Sequence, residues 1–117
     1  MRIGYFDCFS GVSGDMILGA LVDAGLEVER LQTAISGLGV PGIQLSAEQV
    51  KRGAFVGTKV HVRTEEQGHP HRRLPDIEAI LERADLPEPV RADARRIFRR
   101  LAEAEASAHG TTPDRIH

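Results

Sequence analysis

The sequence predicts a mixed α/β (α+β) fold in which strands and pairs of helices follow one another in a split βαβ layout. Three observations predict it. Apolar residues recur at helical spacing in two pairs of segments, they alternate with polar residues in two short segments between those pairs, and a β-favouring run opens the chain. The resulting order is strand, helix pair, strand, strand, helix pair, which is a ferredoxin-like layout lacking its last strand.

The first half of the chain contains a predicted strand and two predicted helices. The β-favouring run Arg2 to Phe6 leads into a polar, glycine-rich loop, Asp7 to Gly14. A first helix is predicted from Asp15, with Gly25 placed where a C-terminal cap is expected. A second helix is predicted from near Val28, because its apolar residues recur at the same three and four spacing.

The second half begins with two strands that we expect to be antiparallel. Ile43 to Glu48 alternates apolar and polar residues, Lys51 to Gly53 is typical of a turn or bulge, and Lys59 to Arg63 is a further β-branched run. We expect Val60 and Val62 to point inward from this last strand.

The chain then returns to helix after a polar loop from Thr64 to Arg73. One helix is predicted from Pro75, a favoured first-turn residue, and a long one is predicted to end at Gly110. The arginines of the long helix, Arg91 to Arg100, are interpreted as a solvated face rather than a phosphate site.

Composition narrows the class of protein. A length of 117 residues suits one domain. A net charge of -2 gives no general attraction to nucleic acid or anionic membrane, and we predict neither as a partner. No apolar run approaches the ~20 residues that cross a bilayer, and no signal-peptide layout opens the chain, so we expect a cytoplasmic protein. The single cysteine, Cys8, excludes an internal disulfide.

The glycine-rich loop is the first candidate site. It lies between a predicted strand and a predicted helix, where backbone N–H groups and the helix dipole bind phosphate or carboxylate groups. The residues that would bind such a group are Ser10, Gly11, Ser13 and Gly14. An N-cap at Ser13 with tight-turn glycines explains the same residues equally well. Asp7 and Asp15 flank the loop and could hold a hydrated cation or transfer a proton, although Asp15 could also only complement the helix dipole.

The histidines are the second candidate site. His69 and His71 stand on either side of Pro70 in the polar loop, and in an extended segment this spacing puts both rings on one side. Imidazoles bind borderline-soft ions such as nickel or zinc. A solvated loop with incidental histidines is an equally good interpretation.

The opening block resembles a known family. Tyr5 to Met16, with the sequence Tyr-Phe-Asp-Cys-Phe-Ser-Gly-Val-Ser-Gly-Asp-Met, is similar to the signature that begins the LarC-type nickel insertion proteins. The resemblance continues through Leu18 to Leu21, Lys51 to Gly53, Gly57 to Lys59, His69 to Ile77, Leu101 to Ala106 and His109-Gly110. It therefore covers nearly the whole chain.

The resemblance implies a nickel-inserting cyclometallase, an enzyme of the lyase or chelatase kind. Such proteins place Ni(II) into pyridinium-3,5-bisthiocarboxylic acid mononucleotide, the cofactor of lactate racemase, and the full-length family uses CTP with a divalent cation. It implies a catalytic role for Asp7 and Asp15, a cofactor-binding role for the loop between them, and a metal-binding role for His69 and His71.

The resemblance also implies that this chain is one part of a larger assembly. Family members continue into a separate C-terminal, CTP-associated domain that is absent from residues 1–117. We therefore expect a single amino-terminal domain or domain fragment, incomplete and inactive by itself, with a C-terminal partner chain and with homo-oligomers left open. The alternatives are a non-catalytic ferredoxin-like ligand-binding or interaction module and, more weakly supported, a phosphohydrolase that uses Asp7.

Overall fold

The computed structural model describes residues 1, 3–65 and 71–116. These residues form four α-helices, one two-stranded sheet and a short 3-10 helix. In chain order the elements are α1 (Gly14–Asp23), α2 (Val28–Ser36), β1 (Ile43–Arg52), β2 (Phe55–Thr64), α3 (Leu74–Arg83), α4 (Glu88–His109) and the 3-10 helix Pro113–Arg115. The mixed α/β class is confirmed, as a partial ferredoxin-like layout in which two antiparallel strands lie between two helix pairs in chain order.

The predicted opening strand is wrong. No strand forms over the described residues 3–9, and the side chains of Ile3, Tyr5, Phe6 and Phe9 are 79%, 86%, 57% and 94% exposed. A β-favouring sequence becomes a strand only where another strand pairs with its N–H and C=O groups and its side chains gain burial. Within the described chain β1 and β2 pair with each other, and neither pairs with this segment.

The two strands form a hairpin with one continuous register. Gly53 takes the first central turn position with φ of 60°, and Ala54, like every other non-glycine residue that the structure describes, has no positive φ, which is the type II′ pattern. Arg52 and Phe55 flank the turn, and at the far end the Glu65 N–H donates to the Gly42 carbonyl at 2.8 Å. The spacing is equal on both strands, so the ladder contains no bulge.

The first of two compact units, Met1–Leu31 with Gln44–Arg63, contains a close approach of α1 to β2. Gly19 is buried in α1, and a Cβ added there would lie 2.6 Å from the Thr58 carbonyl oxygen. The Thr58 hydroxyl also donates to the Asp23 carboxylate at 2.7 Å. Val60 is 1% exposed, as predicted, whereas Val62 is 48% exposed and does not point into a core.

The second unit comprises Gln32–Ile43 and the described residues of Thr64–His117. Its buried side chains come from α3, α4 and the connection between them, and they are Leu74, Leu81, Ala84, Ala102 and Ala106. The pattern follows from the apolar stripe of each helix, which is buried against its neighbour. The long helix ends where the sequence predicted, because Gly110 adopts the left-handed conformation, with φ of 64°, that a C-terminal cap requires.

Arg91 differs from the other arginines of α4, because its guanidinium is hydrogen-bonded to backbone carbonyls. Its guanidinium donates to the carbonyls of Leu81, Ala84 and Leu86 at 3.0, 3.1 and 3.3 Å, and its side chain is 21% exposed. These carbonyls belong to the end of α3 and the loop that follows, where backbone acceptors lack helical partners. Arg91 therefore ties the start of α4 to the end of α3.

Candidate functional site

The glycine-rich loop forms an exposed turn ahead of α1. The Gly11 N–H donates to the Cys8 carbonyl at 3.0 Å, and Gly11 has φ of 82°, so a glycine is needed at this position. Nothing lies within 4 Å of a Cβ added to Gly11 or to Gly14. The predicted tight turn is therefore present, and the backbone at both glycines is open to close approach by a ligand. Asp7 and Ser10 are exposed in the same loop.

The start of α1 is organised around the Asp15 carboxylate. The Ser13 hydroxyl donates to this carboxylate and makes no side-chain cap bond to the helix. The hydrogen bond from Ser13, aided by the backbone N–H groups of Asp15 and Met16 and by the charge of Lys59, lowers the pKa of Asp15. Asp15 is therefore ionised at neutral pH. A bound anion would therefore meet a negative charge at the start of the helix.

Lys59 is a charged residue of the first unit that sequence patterns did not assign to either candidate site. In the observed register it lies opposite Glu48 on the hairpin, and its charge lowers the pKa of both Glu48 and Asp15. Gly19 of α1 packs against the Thr58 backbone of the same strand. A sequence signal existed, because Gly57 to Lys59 lies within the region of family resemblance, but periodicity alone cannot show the contact.

A second polar pair lies on the same hairpin. His61 Nε2 and Glu48 Oε1 are 2.7 Å apart, and the two side chains are 33% and 58% exposed. The hydrogen bond and charge of His61, supported by Lys59 and Arg63, lower the pKa of Glu48. The first unit thus presents acidic, basic and imidazole groups along a strand that packs on α1.

The comparison with protein families identifies the chain. A family model described as "Nickel insertion protein" matches residues 4–117. The chain belongs to this family. A relative from Roseiflexus castenholzii, whose name refers to nickel insertion, is 54% identical over 99% of this chain and 29% of its own length. The pyridinium-3,5-bisthiocarboxylic acid mononucleotide nickel insertion proteins of Desulfitobacterium hafniense and of a Nocardioides species are 48% and 43% identical over the whole chain.

These matches confirm the family resemblance and show which part of the family's polypeptide the chain corresponds to. The chain corresponds to the amino-terminal portion of the relatives and spans about 30% of their length. Its coverage of 29% in the Desulfitobacterium protein means that most of that relative lies outside the matched segment. No solved structure matches the chain.

The predicted metal residues of this family member are only partly described. His69 lies outside the described residues. His71 is exposed just before α3, in the second unit, whereas the glycine-rich loop belongs to the first. Over residues 1, 3–65 and 71–116, no three or more His, Cys, Asp and Glu side chains converge in a metal-binding geometry. The role of His69 and His71 therefore stays a prediction.

Two surface concavities of the second unit do not include the loop. One, of about 870 Å³, follows the outer face of α4, where three arginines already pair with carboxylates: Arg95 with Glu82 at 3.6 Å, Arg96 with Asp93 at 3.0 Å and Arg99 with Glu78 at 2.5 Å. The other, of about 120 Å³, is a small apolar groove between α3 and α4. The paired charges support the interpretation of a solvated helix face. No helix in the described part of the chain is long and apolar enough to cross a membrane.

Proposed function

We propose that this chain is the amino-terminal part of a nickel insertase that places Ni(II) into pyridinium-3,5-bisthiocarboxylic acid mononucleotide, the cofactor of lactate racemase. The observation that carries the proposal is the 48% identity, over every residue of this chain, to a Desulfitobacterium hafniense protein named for that reaction. Insertion of a metal into an organic ligand is a lyase or chelatase reaction. Nickel is the cargo of the reaction and not a permanent structural ion.

The glycine-rich loop is the proposed substrate site. Ser10, Gly11, Ser13 and Gly14 would contact the mononucleotide, because the backbone at Gly11 and Gly14 is open to a large anionic group. Lys59 adds a positive charge beside the start of α1. A phosphate would bind on the Lys59 side of the helix start, since the ionised Asp15 carboxylate would repel it elsewhere.

The two acidic residues have different proposed parts. The hydrogen bond from Ser13 lowers the pKa of Asp15 further below neutral pH, so this carboxylate can accept a proton or a cation but cannot act as an acid there. Asp7 is an exposed carboxylate at the opposite end of the loop. His69 and His71 are the proposed nickel donors, because neutral imidazole is a good ligand for this ion.

The remaining family polypeptide is the proposed partner. In this scheme a C-terminal segment supplies the site for CTP and its divalent cation, either covalently or as a separate chain, and the isolated 117 residues are inactive. Homo-oligomers are compatible with the scheme. CTP is a cytoplasmic nucleotide, so the proposed reaction takes place in the cytoplasm.

A chimera tests the proposal. The matching segment of the Desulfitobacterium hafniense protein is replaced by this chain, and nickel in the mononucleotide product is measured by mass spectrometry in the presence of CTP and a divalent cation. We expect the chimera to form the nickel product, and the combined His69→Ala and His71→Ala substitutions to reduce it strongly. His109→Ala, at the exposed end of α4, is the matched control. A folded chimera that makes no nickel product while its parent does would refute the proposal.

One observation favours the alternative of a non-catalytic ligand-binding or interaction module of ferredoxin-like form. The Asp15 carboxylate accepts a hydrogen bond from Ser13 and lies in the first turn of α1, where it complements the helix dipole, as it would if the loop were only a turn. Equilibrium dialysis of this chain with Ni²⁺ and with a pyridine mononucleotide separates the two functions. Binding of neither favours the module.

A further inference from the structure

We propose that Glu48 and His61 form a capture site for the incoming nickel ion on the β-hairpin, separate from His69 and His71. The inference rests on the proposed function, because it treats nickel as cargo. Its basis is the pairing of one imidazole nitrogen with one carboxylate oxygen, 2.7 Å apart, on side chains that solvent reaches. Imidazole and carboxylate are donors that divalent first-row ions accept together.

The donor spacing suits a metal ion after a small movement. Bonds from first-row ions to nitrogen or oxygen are about 2.1 Å long, so neighbouring donors at a right angle lie about 3 Å apart. Nε2 and Oε1 must separate by only a few tenths of an ångström from their present 2.7 Å. The side chains are 33% and 58% exposed, which leaves room for that rotation. Nickel then takes the place of the hydrogen that the two atoms share.

The neighbouring charges keep the binding at this pair weak. Glu48 supplies an exposed carboxylate ligand, and the positive charges of Lys59 and Arg63 lie close enough to act on it. The same two cations repel Ni²⁺. Two protein donors leave four positions of an octahedral ion for water and for the sulfur atoms of an acceptor. Such a site captures an ion that must later leave.

The location of the pair fits delivery to the proposed substrate site. Lys59 influences both the Glu48 carboxylate of the pair and the Asp15 carboxylate at the start of α1. All three residues belong to the first compact unit. An ion held by Glu48 and His61 therefore lies on the same compact unit as the glycine-rich loop.

Paramagnetic broadening by Ni²⁺ tests the capture site directly. Ni²⁺ is added in small steps to the 117-residue chain, and amide signals are followed by NMR. We expect the signals of Glu48, Lys59 and His61 to broaden at the lowest nickel concentrations. His61→Gln should abolish this local broadening and weaken the nickel affinity of the hairpin at least about fivefold, while the amide spectrum elsewhere shows the same fold.

A second substitution and two controls keep the test specific. Glu48→Gln retains a hydrogen-bonding side chain but removes the charge, and we expect it to weaken the same binding event. His109→Gln lies in the second unit and should leave the hairpin response unchanged. If broadening persists at the hairpin in His61→Gln, or appears only near His71 and His109, the capture site is overturned. The chimera assay above is independent, because nickel product can form even if the hairpin binds no nickel.

Discussion

The close approach of α1 to β2 makes a sharp prediction about Gly19. Replacing Gly19 with alanine adds a Cβ that would lie 2.6 Å from the Thr58 carbonyl oxygen and 3.7 Å from the Val60 nitrogen. The first distance is far below van der Waals contact, and the obstacle is backbone rather than a flexible side chain. The helix must therefore move away from the strand by several tenths of an ångström.

The size of the effect follows from two opposing contributions. Inserting a methyl group into a close-packed contact costs roughly 1–3 kcal/mol, because neighbouring backbone must shift. Alanine recovers about 0.5–1 kcal/mol through its better helix propensity. We expect a net loss of about 1–2 kcal/mol of unfolding free energy for Gly19→Ala. In a domain of this size that lowers Tm by roughly 4–10 °C.

Gly14→Ala is the matched control for this prediction. It makes the same chemical change in the first turn of the same helix, but no atom lies within 4 Å of the added Cβ. We expect it to be neutral or stabilising. Thermal unfolding followed by circular dichroism compares the two variants, and hydrogen exchange at the Val60 amide reports the local contact. If Gly19→Ala is as stable as Gly14→Ala, the close packing described here is refuted.

Three further predictions follow from local contacts. Arg91→Met removes three hydrogen bonds to backbone carbonyls and should lower the free energy of unfolding by about 2–3 kcal/mol, measured by thermal unfolding. Arg96→Met removes an exposed ion pair and should change it by no more than about 0.5 kcal/mol. Equal effects of the two substitutions would contradict the connection that Arg91 makes between α3 and α4. Ser13→Ala should raise the pKa of Asp15, which a carboxyl NMR titration measures. Because folding depresses this pKa, the stabilising contribution of Asp15 is present above about pH 3.9 and is lost as the pH falls through the folded-state pKa. An unchanged pKa in Ser13→Ala would argue against the hydrogen bond. Gly53→Ala should destabilise the chain by about 1 kcal/mol, because the backbone at position 53 has a positive φ that alanine disfavours. Gly53→Asn should be less destabilising, because asparagine tolerates this conformation better. Equal unfolding midpoints for the two variants would contradict the type II′ turn.

Local patterns predicted the helices and the hairpin well. The first helix was predicted from Asp15 and begins at Gly14, the second was predicted from near Val28 and begins there, and the long helix ends at Gly110. These boundaries depend on short-range sterics, apolar spacing and glycine conformation, all of which are written in neighbouring residues. The turn at Gly53 has the same local origin.

The opening strand shows where such reasoning fails. Ile3, Tyr5 and Phe6 have strong β preferences, yet they remain exposed and unpaired with β1 or β2. Strand formation needs hydrogen-bonding partners that are distant in sequence, so propensity alone cannot decide it. The same limit applies to Val62, whose alternation predicted burial and whose side chain is about half exposed.

The sequence by itself determined the order of the helices, the position of the hairpin turn and membership of the nickel insertion family, because each depends on residues that are adjacent or on a pattern spread along the chain. Only the tertiary structure decided that the charge of Lys59 acts on both Asp15 and Glu48. It also decided that Glu48 meets His61. These contacts depend on strand register and on the packing of α1 against β2, which bring together groups that are far apart in sequence.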